Sequence, residues 1–250
     1  MQVLALDTST EYCSVALWRD GAIIERCDLV GQRHSEVLME MVDALLRDAA
    51  VKLAQLDGIA FGMGPGSFTG VRIACGSTQG LALGANLPVA GVCTLQALAE
   101  ASGKPRVIAA LDARMGELYL AAYEKRVGVW ISVIEPCLCK PEDAPKVGNL
   151  LSAKANAELT PPMLTGSGWF GAGSGFAAHG DALAGRYAGQ LQGVDGAAIP
   201  QASAIAVLGA ARFALGQGVD AAAALPLYLR ERVALKISER EHQASETAGR

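Results

Sequence analysis

The sequence has few charged and few aromatic residues, and this scarcity excludes several classes of protein. Charged side chains make up 18% of the 250 residues and aromatic side chains 5%, against 51% hydrophobic residues. A disordered chain combines low hydrophobicity with high net charge, so extended disorder is excluded. With 21 basic and 25 acidic residues, the net charge is −4. This balance argues against a chain that binds nucleic acid by itself, because such binding needs a clustered basic face.

Signals for membranes, export and metal binding are also lacking. No apolar run approaches the ~18 residues of a membrane helix, and MQVLALDTST has neither the basic start nor the cleavage site of a signal peptide. Among the six cysteines only Cys137 and Cys139 are close, and a C-x-C without a second pair is poor zinc spacing. We expect a cytoplasmic protein with reduced, structural thiols, no metal site and no membrane contact.

The hydrophobic pattern predicts alternating strands and helices whose order occurs twice. Strands are followed by an amphipathic helix that Ser35 caps, and a second helix is capped by Ser67. A strand ending in Asp7 opens this part, and after Gly103-Lys-Pro105 a strand ending in Asp112 begins the same order again. The repeat indicates an internal duplication. We predict an N-terminal domain, a smaller and diverged C-terminal domain and a polar tail, with the bounds 1–104, 105–237 and 238–250.

One motif whose side chains could bind a ligand is the turn Asp7-Thr8-Ser9-Thr10 between two predicted strands. A carboxylate at a strand end and hydroxyl groups in the following turn can hold a metal–phosphate group. The same side chains can equally satisfy the turn's own backbone groups. From these residues alone, both interpretations stay open. The segment Gly166 to Gly171 matches G-x-G-x-x-G but lacks the acidic residue about 20 positions later, so it does not predict a dinucleotide site.

The most distinctive segment is GPGSFTGVR, residues 64–72, together with the helix that it opens. Gly76, Gly80 and Gly84 recur every four residues and form one smooth stripe on that helix. An interior glycine costs a helix ~1 kcal/mol relative to alanine, so the stripe indicates close approach of another backbone. That backbone can belong to the protein's own sheet or to a partner helix.

Four segments together resemble the TsaB (YeaZ) family: LALDTSTEYCSVAL, the HSE that opens the first helix, GPGSFTGVRIACGSTQGLALGANLPVAGV and PLYLRERVALK. The resemblance is close over 1–100, loose over 105–220 and close again over 226–236. It implies an α/β, actin-like (ASKHA) fold of two duplicated ribonuclease-H-like domains. It also implies a non-catalytic subunit in the biosynthesis of tRNA threonylcarbamoyladenosine (t6A). In that family the subunit pairs with its catalytic paralogue TsaD, and the ATPase TsaE joins them.

The resemblance further implies that this chain has no catalytic residues. In TsaD two histidines of a V-N-H-x-E-G-H segment bind the metal, whereas Thr94 and Leu98 occupy those positions here. The turn Asp7, Thr8, Ser9 and Thr10 then becomes a vestigial phosphate turn. ATP or ADP is expected only in the complex, and tRNA is reached only through the complex. The alternative is an ATP-dependent small-molecule kinase of the same fold that uses Asp7, the turn and Asp112; a metallopeptidase is disfavoured by the missing histidines.

We expect the partner surface on the two helices that follow Ser35 and Ser67. Two such helices, meeting the same pair on a paralogue, would make a four-helix contact. Without the paralogue, the same surface could pair with itself as a homodimer. The residues predicted for this surface are His34, Glu36, Val37, Met41, Leu45, Arg72, Gly76, Gly80 and Gly84.

The charge pattern yields a first testable prediction, which concerns tRNA. The chain has no basic run longer than Lys125-Arg126, so few phosphates can be neutralised at one place. We expect the isolated protein to bind tRNA with a dissociation constant of ~1 µM or weaker near physiological salt. Fluorescence anisotropy with labelled tRNA at two salt concentrations measures this. Submicromolar binding that falls steeply with salt would contradict the prediction.

Overall fold

The computed structural model of the chain describes residues 1–147 and 168–230. These residues form two five-stranded sheets with associated helices. The strands are β1 (Gln2–Asp7), β2 (Tyr12–Arg19), β3 (Ala22–Leu29), β4 (Gly58–Gly64), β5 (Val89–Cys93), β6 (Arg106–Arg114), β7 (Glu117–Arg126), β8 (Val129–Cys139), β9 (Trp169–Ala172) and β10 (Leu191–Asp195). The helices are α1 (His34–Asp48), α2 (Phe68–Ala85), α3 (Thr94–Ala101), α4 (Ser174–Ala178), α5 (Gly180–Arg186) and α6 (Ala202–Ala214).

The two sheets have the same topology. Their orders are β3-β2-β1-β4-β5 and β8-β7-β6-β9-β10. In each sheet the first three strands in the sequence pair antiparallel, and the last two run parallel to the first strand. The repeat confirms the predicted α/β fold of two duplicated ribonuclease-H-like units. No described helix has both the length and the apolar character that a membrane span requires.

Local chemistry accounts for the geometry of the first sheet. Asp20 and Gly21 form a two-residue hairpin turn with φ values of +48° and +96°, the left-handed backbone that a type I′ turn needs. Strand β1 is buried on both faces. Leu4 and Leu6 pack in the core beneath α1 and α2. Val3 and Ala5, on the opposite face of the strand, pack against α6. This strand therefore holds the first half together.

The last helix of each half packs on the other half. Helix α3 follows β5, the last strand of the first sheet, but Leu95 and Leu98 pack with Val107 and Ala109 of the second sheet. Helix α6 follows β10 and packs on β1, β2 and β4 of the first sheet. The predicted domain 105–237 is therefore corrected, because α6 completes the core of the N-terminal half. The apolar periodicity of a helix does not show which sheet covers it.

Two further expectations differ from the structure in detail. Ser67 does cap α2, since its side chain accepts a hydrogen bond from the amide of Gly70. Ser35 is not a cap, however, because α1 begins at His34 and no side chain caps it. The His34 side chain is buried instead, with Nε2 3.1 Å from the carbonyl oxygen of Tyr12. The predicted tail 238–250 and the start of the segment 166–171 lie outside the described residues.

The close packing of α6 and the exposed face of α2 predict opposite effects on stability when a glycine in each helix is replaced by alanine. A Cβ at Gly209 of α6 would lie 2.4 Å from Cβ of Ala60, whereas a Cβ at Gly76 of α2 would meet no described residue within 4 Å outside its own helix. We expect Gly209→Ala to destabilise the protein by about 1–3 kcal/mol through overpacking. Gly76→Ala should stabilise it by up to ~1 kcal/mol through helix propensity. Urea unfolding of both variants measures the signs, and stabilisation by Gly209→Ala would contradict the described packing.

Candidate functional site

A cavity of about 1090 Å³ lies between the two halves of the molecule. The first half contributes the turn after β1, the start of α1 and the loop from β4 into α2. The second half contributes the end of β6, part of β7 and helix α4. Residues 227–230 complete the lining. The topology places the ends of β1 and β6, which are equivalent strands, on opposite sides of this cavity.

The turn after β1 satisfies its own polar groups. Asp7 is only 2% exposed, and its carboxylate oxygens accept hydrogen bonds from the Ser9 amide at 2.9 Å and the Ser9 hydroxyl at 2.8 Å. The hydroxyl of Thr8 donates to the carbonyl oxygen of Gly70 at 2.7 Å. Ser9 and Thr10 line the cavity, but Asp7 and Thr8 do not. Of the two interpretations that the sequence leaves open, the structure shows the hydrogen-bonded turn.

The glycine-rich loop that opens α2 packs directly on this turn. A Cβ at Gly62 would lie 2.5 Å from Oδ1 of Asp7, and one at Gly66 would lie 2.5 Å from the carbonyl oxygen of Ser9. A Cβ at Gly70 would lie 1.9 Å from the carbonyl oxygen of Thr8. The amide of Ser67 also donates to the Ser9 carbonyl oxygen at 2.8 Å. These glycines thus permit a backbone approach that no side chain would allow, and the four-residue spacing of 62, 66 and 70 is the signal that sequence reasoning missed.

Burial controls the ionisation of Asp7. Removal from water raises the pKa of its carboxyl group from 3.8 to about 6, and the hydrogen bonds from Ser9 and Thr8 oppose that rise. The group is thus held by turn hydrogen bonds under a packed loop. The arrangement is suited to fixing the turn.

The equivalent aspartate of the second half has a different environment. Asp112 lines the cavity, and its carboxylate accepts from the amide of Arg114 at 2.9 Å and pairs with the Arg114 guanidinium at 3.1 Å. Its own amide donates to the Ser174 hydroxyl at 3.1 Å, and Nε2 of His179 lies 3.8 Å from Oδ1. The kinase alternative needs both aspartates to face the cavity. The structure places Asp112 there and Asp7 beneath the loop.

The positions aligned with the metal-binding histidines of TsaD lie in the core. Thr94 and Leu98 are both fully buried, and the Thr94 hydroxyl donates to the carbonyl oxygen of Pro65. Over residues 1–147 and 168–230, no three histidine, cysteine or acidic side chains come together in a group that could hold a metal ion. Thr94 thus joins α3 to the loop before α2, whereas Leu98 packs with Val107 and Ala109 of the second sheet.

The helices α1 and α2 expose only part of the predicted partner surface. Met41 and Leu45 are corrected, because they are buried at 8% and 0% exposure and pack into the core. His34 is buried and Val37 is half-buried. The amphipathic pattern of α1 identifies an apolar face, but that face covers the protein's own sheet. The exposed members of the predicted set are Glu36, Arg72, Gly76, Gly80 and Gly84.

The glycine stripe of α2 faces away from the protein's own sheet. Among residues 1–147 and 168–230, a Cβ added at Gly76, Gly80 or Gly84 would meet no atom within 4 Å beyond the backbone of its own helix. Of the two interpretations of the stripe, packing on the protein's own sheet is therefore wrong. Leu83, between Gly80 and Gly84 on α2, exposes 78% of a large apolar side chain, and Met39 on α1 is 45% exposed. Sequence reasoning missed both, although their positions outside the apolar periods of the helices indicate exposure.

Residues 224–230 form a strap along α2 that ends on the second half. The amide of Leu227 donates to the carbonyl oxygen of Met63 at 2.6 Å. The guanidinium of Arg72 lies 3.2 Å from the ring centroid of Phe68 and 4.9 Å from that of Tyr228. Arg230 then pairs with Glu117 of β7. The strap therefore connects α2 to the second sheet beside the cavity.

Comparison with protein families and curated proteins gives consistent matches. The family model described as TsaD, tRNA N6-adenosine threonylcarbamoyltransferase, matches residues 28–237. The tRNA threonylcarbamoyladenosine biosynthesis protein TsaB of Escherichia coli (strain K12) is 37% identical over 241 residues, covering 94% of this chain and 97% of that protein. The protein of the same name from Haemophilus influenzae is 40% identical over 156 residues, which cover 58% of this chain and 66% of that protein.

Solved structures show the same relationship. A Pseudomonas aeruginosa protein described as similar to peptidase YeaZ matches with a TM-score of 0.79 at 37% identity, covering 92% of this chain and 99% of that chain. YeaZ from Pseudomonas aeruginosa matches with a TM-score of 0.74 at 36% identity, covering 91% of this chain and 99% of that chain. The matches extend over both duplicated halves.

The buried carboxyl group of Asp7 predicts a specific pH dependence of stability. Its raised pKa means that the folded protein holds the proton more tightly than the unfolded chain, so this group lowers stability as pH rises from about 4 to about 6. The loss is about 3 kcal/mol for a shift from 3.8 to about 6. Asp7→Asn should remove this loss, so the variant gains stability relative to wild type between pH 4 and pH 7.

Urea unfolding at pH 4 and pH 7 measures that difference. Asp28→Asn, at an exposed position of β3, is the control for a change of charge alone. If Asp7→Asn lowers stability by the same amount at both pH values, the assigned environment of the carboxyl group is wrong.

Proposed function

The chain belongs to the TsaB (YeaZ) family, and from this membership we propose that it takes part in tRNA threonylcarbamoyladenosine biosynthesis as a non-catalytic subunit. In this role it binds the catalytic paralogue TsaD through α1 and α2 and supports the paralogue's activity. The ATPase TsaE is a further partner in the complex. The chain contacts tRNA through that complex.

The observation that carries this proposal is the exposed glycine stripe of α2. Within the described part of the chain, an added Cβ at Gly76, Gly80 or Gly84 has no neighbour within 4 Å beyond its own helix backbone, so the packing of these residues does not require glycine there. Each interior glycine nevertheless destabilises the helix by ~1 kcal/mol relative to alanine. A partner helix that packs against the stripe explains why glycine occurs at these positions, because glycine lets two backbones approach closely.

The surroundings of the stripe suit a helical partner. Leu83 exposes a large apolar side chain between Gly80 and Gly84 on α2, and Phe68 on α2 and Met39 on α1 are also partly exposed. The charged residues Glu36 and Arg72 lie exposed near the first turns of the two helices. Apolar anchors with charges at the rim are typical of protein interfaces. Because a paralogue shares the fold, it presents an equivalent helix pair, and the two pairs form a four-helix contact around a pseudo-twofold axis.

The environment of the β1 turn supports a non-catalytic role. A kinase of this fold needs a carboxylate that reaches the cavity from the first half, and the Asp7 oxygens accept hydrogen bonds from Ser9 beneath the α2 loop. Asp112 is paired with Arg114. The geometry therefore does not favour the kinase alternative. Any ATP or ADP is expected at this cavity only when the partner is bound.

Replacing Gly80 by leucine tests the proposed interface. The added side chain points away from the protein's own core, so we expect a melting temperature close to that of the wild type. Association with purified TsaD should weaken at least ~10-fold, since overpacking costs ~1–3 kcal/mol and ~1.4 kcal/mol corresponds to a factor of ten. Isothermal titration calorimetry measures the affinity, and thermal unfolding measures the stability of the same variant.

Gly185→Leu is the matched control. Gly185 is exposed in α5, and among the residues that the structure describes a Cβ there also meets no atom within 4 Å beyond its own helix. This variant should bind TsaD with unchanged affinity. If Gly80→Leu is unstable yet binds normally, or if both variants bind equally well, α2 is not the partner surface.

A further inference from the structure

Arg72 is the single charged residue of α2, and it belongs to the same row as the glycine stripe. Phe68, Arg72, Gly76, Gly80 and Gly84 follow one another at intervals of four residues. Residues four apart lie on the same face of a helix, one turn above the other. A partner helix that lies along the stripe therefore meets the arginine side chain at one end of that row.

Two aromatic rings hold the Arg72 side chain. Its guanidinium carbon lies 3.2 Å from the ring centroid of Phe68 and 4.9 Å from that of Tyr228, both within the ~6 Å range of cation–π contacts. Phe68 is one turn earlier on α2, whereas Tyr228 belongs to the strap, and the two ring centroids are 5.9 Å apart. An exposed arginine side chain has many rotamers. These rings therefore fix the guanidinium before any partner binds.

The charge of Arg72 has no acidic counterpart in the part of the chain that the structure describes. No described aspartate or glutamate forms an ion pair with it, whereas Arg230 of the strap is paired with Glu117. One guanidinium nitrogen donates to the carbonyl oxygen of Phe68 at 3.4 Å. A guanidinium presents several N–H donors in a planar fork that matches a carboxylate or a phosphate. Most of these donors have no described acceptor, so they are available to an anionic group.

The position of Arg72 favours a carboxylate over a phosphate. Binding of a phosphate backbone requires clustered basic residues, and the sequence has no basic run longer than Lys125-Arg126. A single arginine beside a close helix contact suits one acidic side chain, because charge pairs across an interface fix its register. We propose that Arg72 binds an acidic side chain of the partner and that Tyr228 positions its guanidinium. This inference rests on the proposed function, since it assigns one contact within the interface on α2.

Titration of the full-length protein with purified TsaD tests the contact. Arg72→Ala should weaken binding at least ~10-fold, since a hydrogen bond to a charged group accounts for a factor of roughly 10–100. Arg72→Lys keeps the charge but lacks the planar fork, so it should recover only part of the affinity. Arg126→Ala removes an ion-paired arginine of β7, and this control for net charge should bind like the wild type. Thermal unfolding shows whether each variant is folded.

A double-mutant cycle tests the positioning role of Tyr228. Tyr228→Leu should weaken binding about 2–5-fold in the wild-type background, as expected for loss of an exposed cation–π contact. The same substitution should have no effect in the Arg72→Ala background, because the ring then has no guanidinium to hold. Equal effects in both backgrounds would mean that Tyr228 acts independently of Arg72, and the positioning role would be wrong.

The Gly80→Leu variant separates failure of this contact from failure of the proposed interface. If Gly80→Leu loses TsaD binding while Arg72→Ala binds normally, the interface on α2 stands and the arginine contact is wrong. If neither variant loses binding, both proposals are wrong. Equal losses in Arg72→Ala and Arg126→Ala would indicate an effect of net charge and would overturn the contact. Weaker binding of labelled tRNA by Arg72→Ala, with unchanged affinity for TsaD, would assign a phosphate to Arg72 and also overturn it.

Discussion

The reciprocal packing of α3 and α6 is the constraint on which the structure depends. Each helix leaves the half in which its preceding strand lies and covers the sheet of the other half. Gly209 lets α6 approach Ala60 of β4 so closely that a Cβ would lie 2.4 Å away. Neither sheet therefore has a complete core without residues from the other half. This reciprocal packing holds together the two halves that line the cavity.

The two duplicated halves differ at the ends of their first strands. In the first half, Gly62, Gly66 and Gly70 bring a loop onto the Asp7 turn and remove the carboxylate from the cavity. In the second half, Asp112 stays at the cavity and pairs with Arg114. One ancestral position thus has a structural role on one side and an open, ion-paired environment on the other.

Local features such as caps and turns were predictable from the sequence, whereas the surface against which each helix packs was not. The cap at Ser67, the helix Thr94–Ala101 and the turn at Asp20-Gly21 follow from short-range hydrogen bonding and backbone preference, and the structure has all three. The apolar residues of α1 show that one face is covered, but Met41 and Leu45 could face either a sheet or a partner. The position of α6 depends on packing between residues ~150–200 positions apart, which no local pattern encodes.

The exposed glycine stripe has a consequence for the amount of protein in a cell. Three glycines in place of alanines destabilise α2 by about 3 kcal/mol in the free chain, which corresponds to a roughly 100-fold larger unfolded population. The partner proposed to bind the stripe would restore stability by mass action. Because unfolded chains are removed by proteases, the level of the protein would then follow the supply of that proposed partner without any dedicated regulator. Stoichiometric matching of the two proteins is then a property of one helix surface.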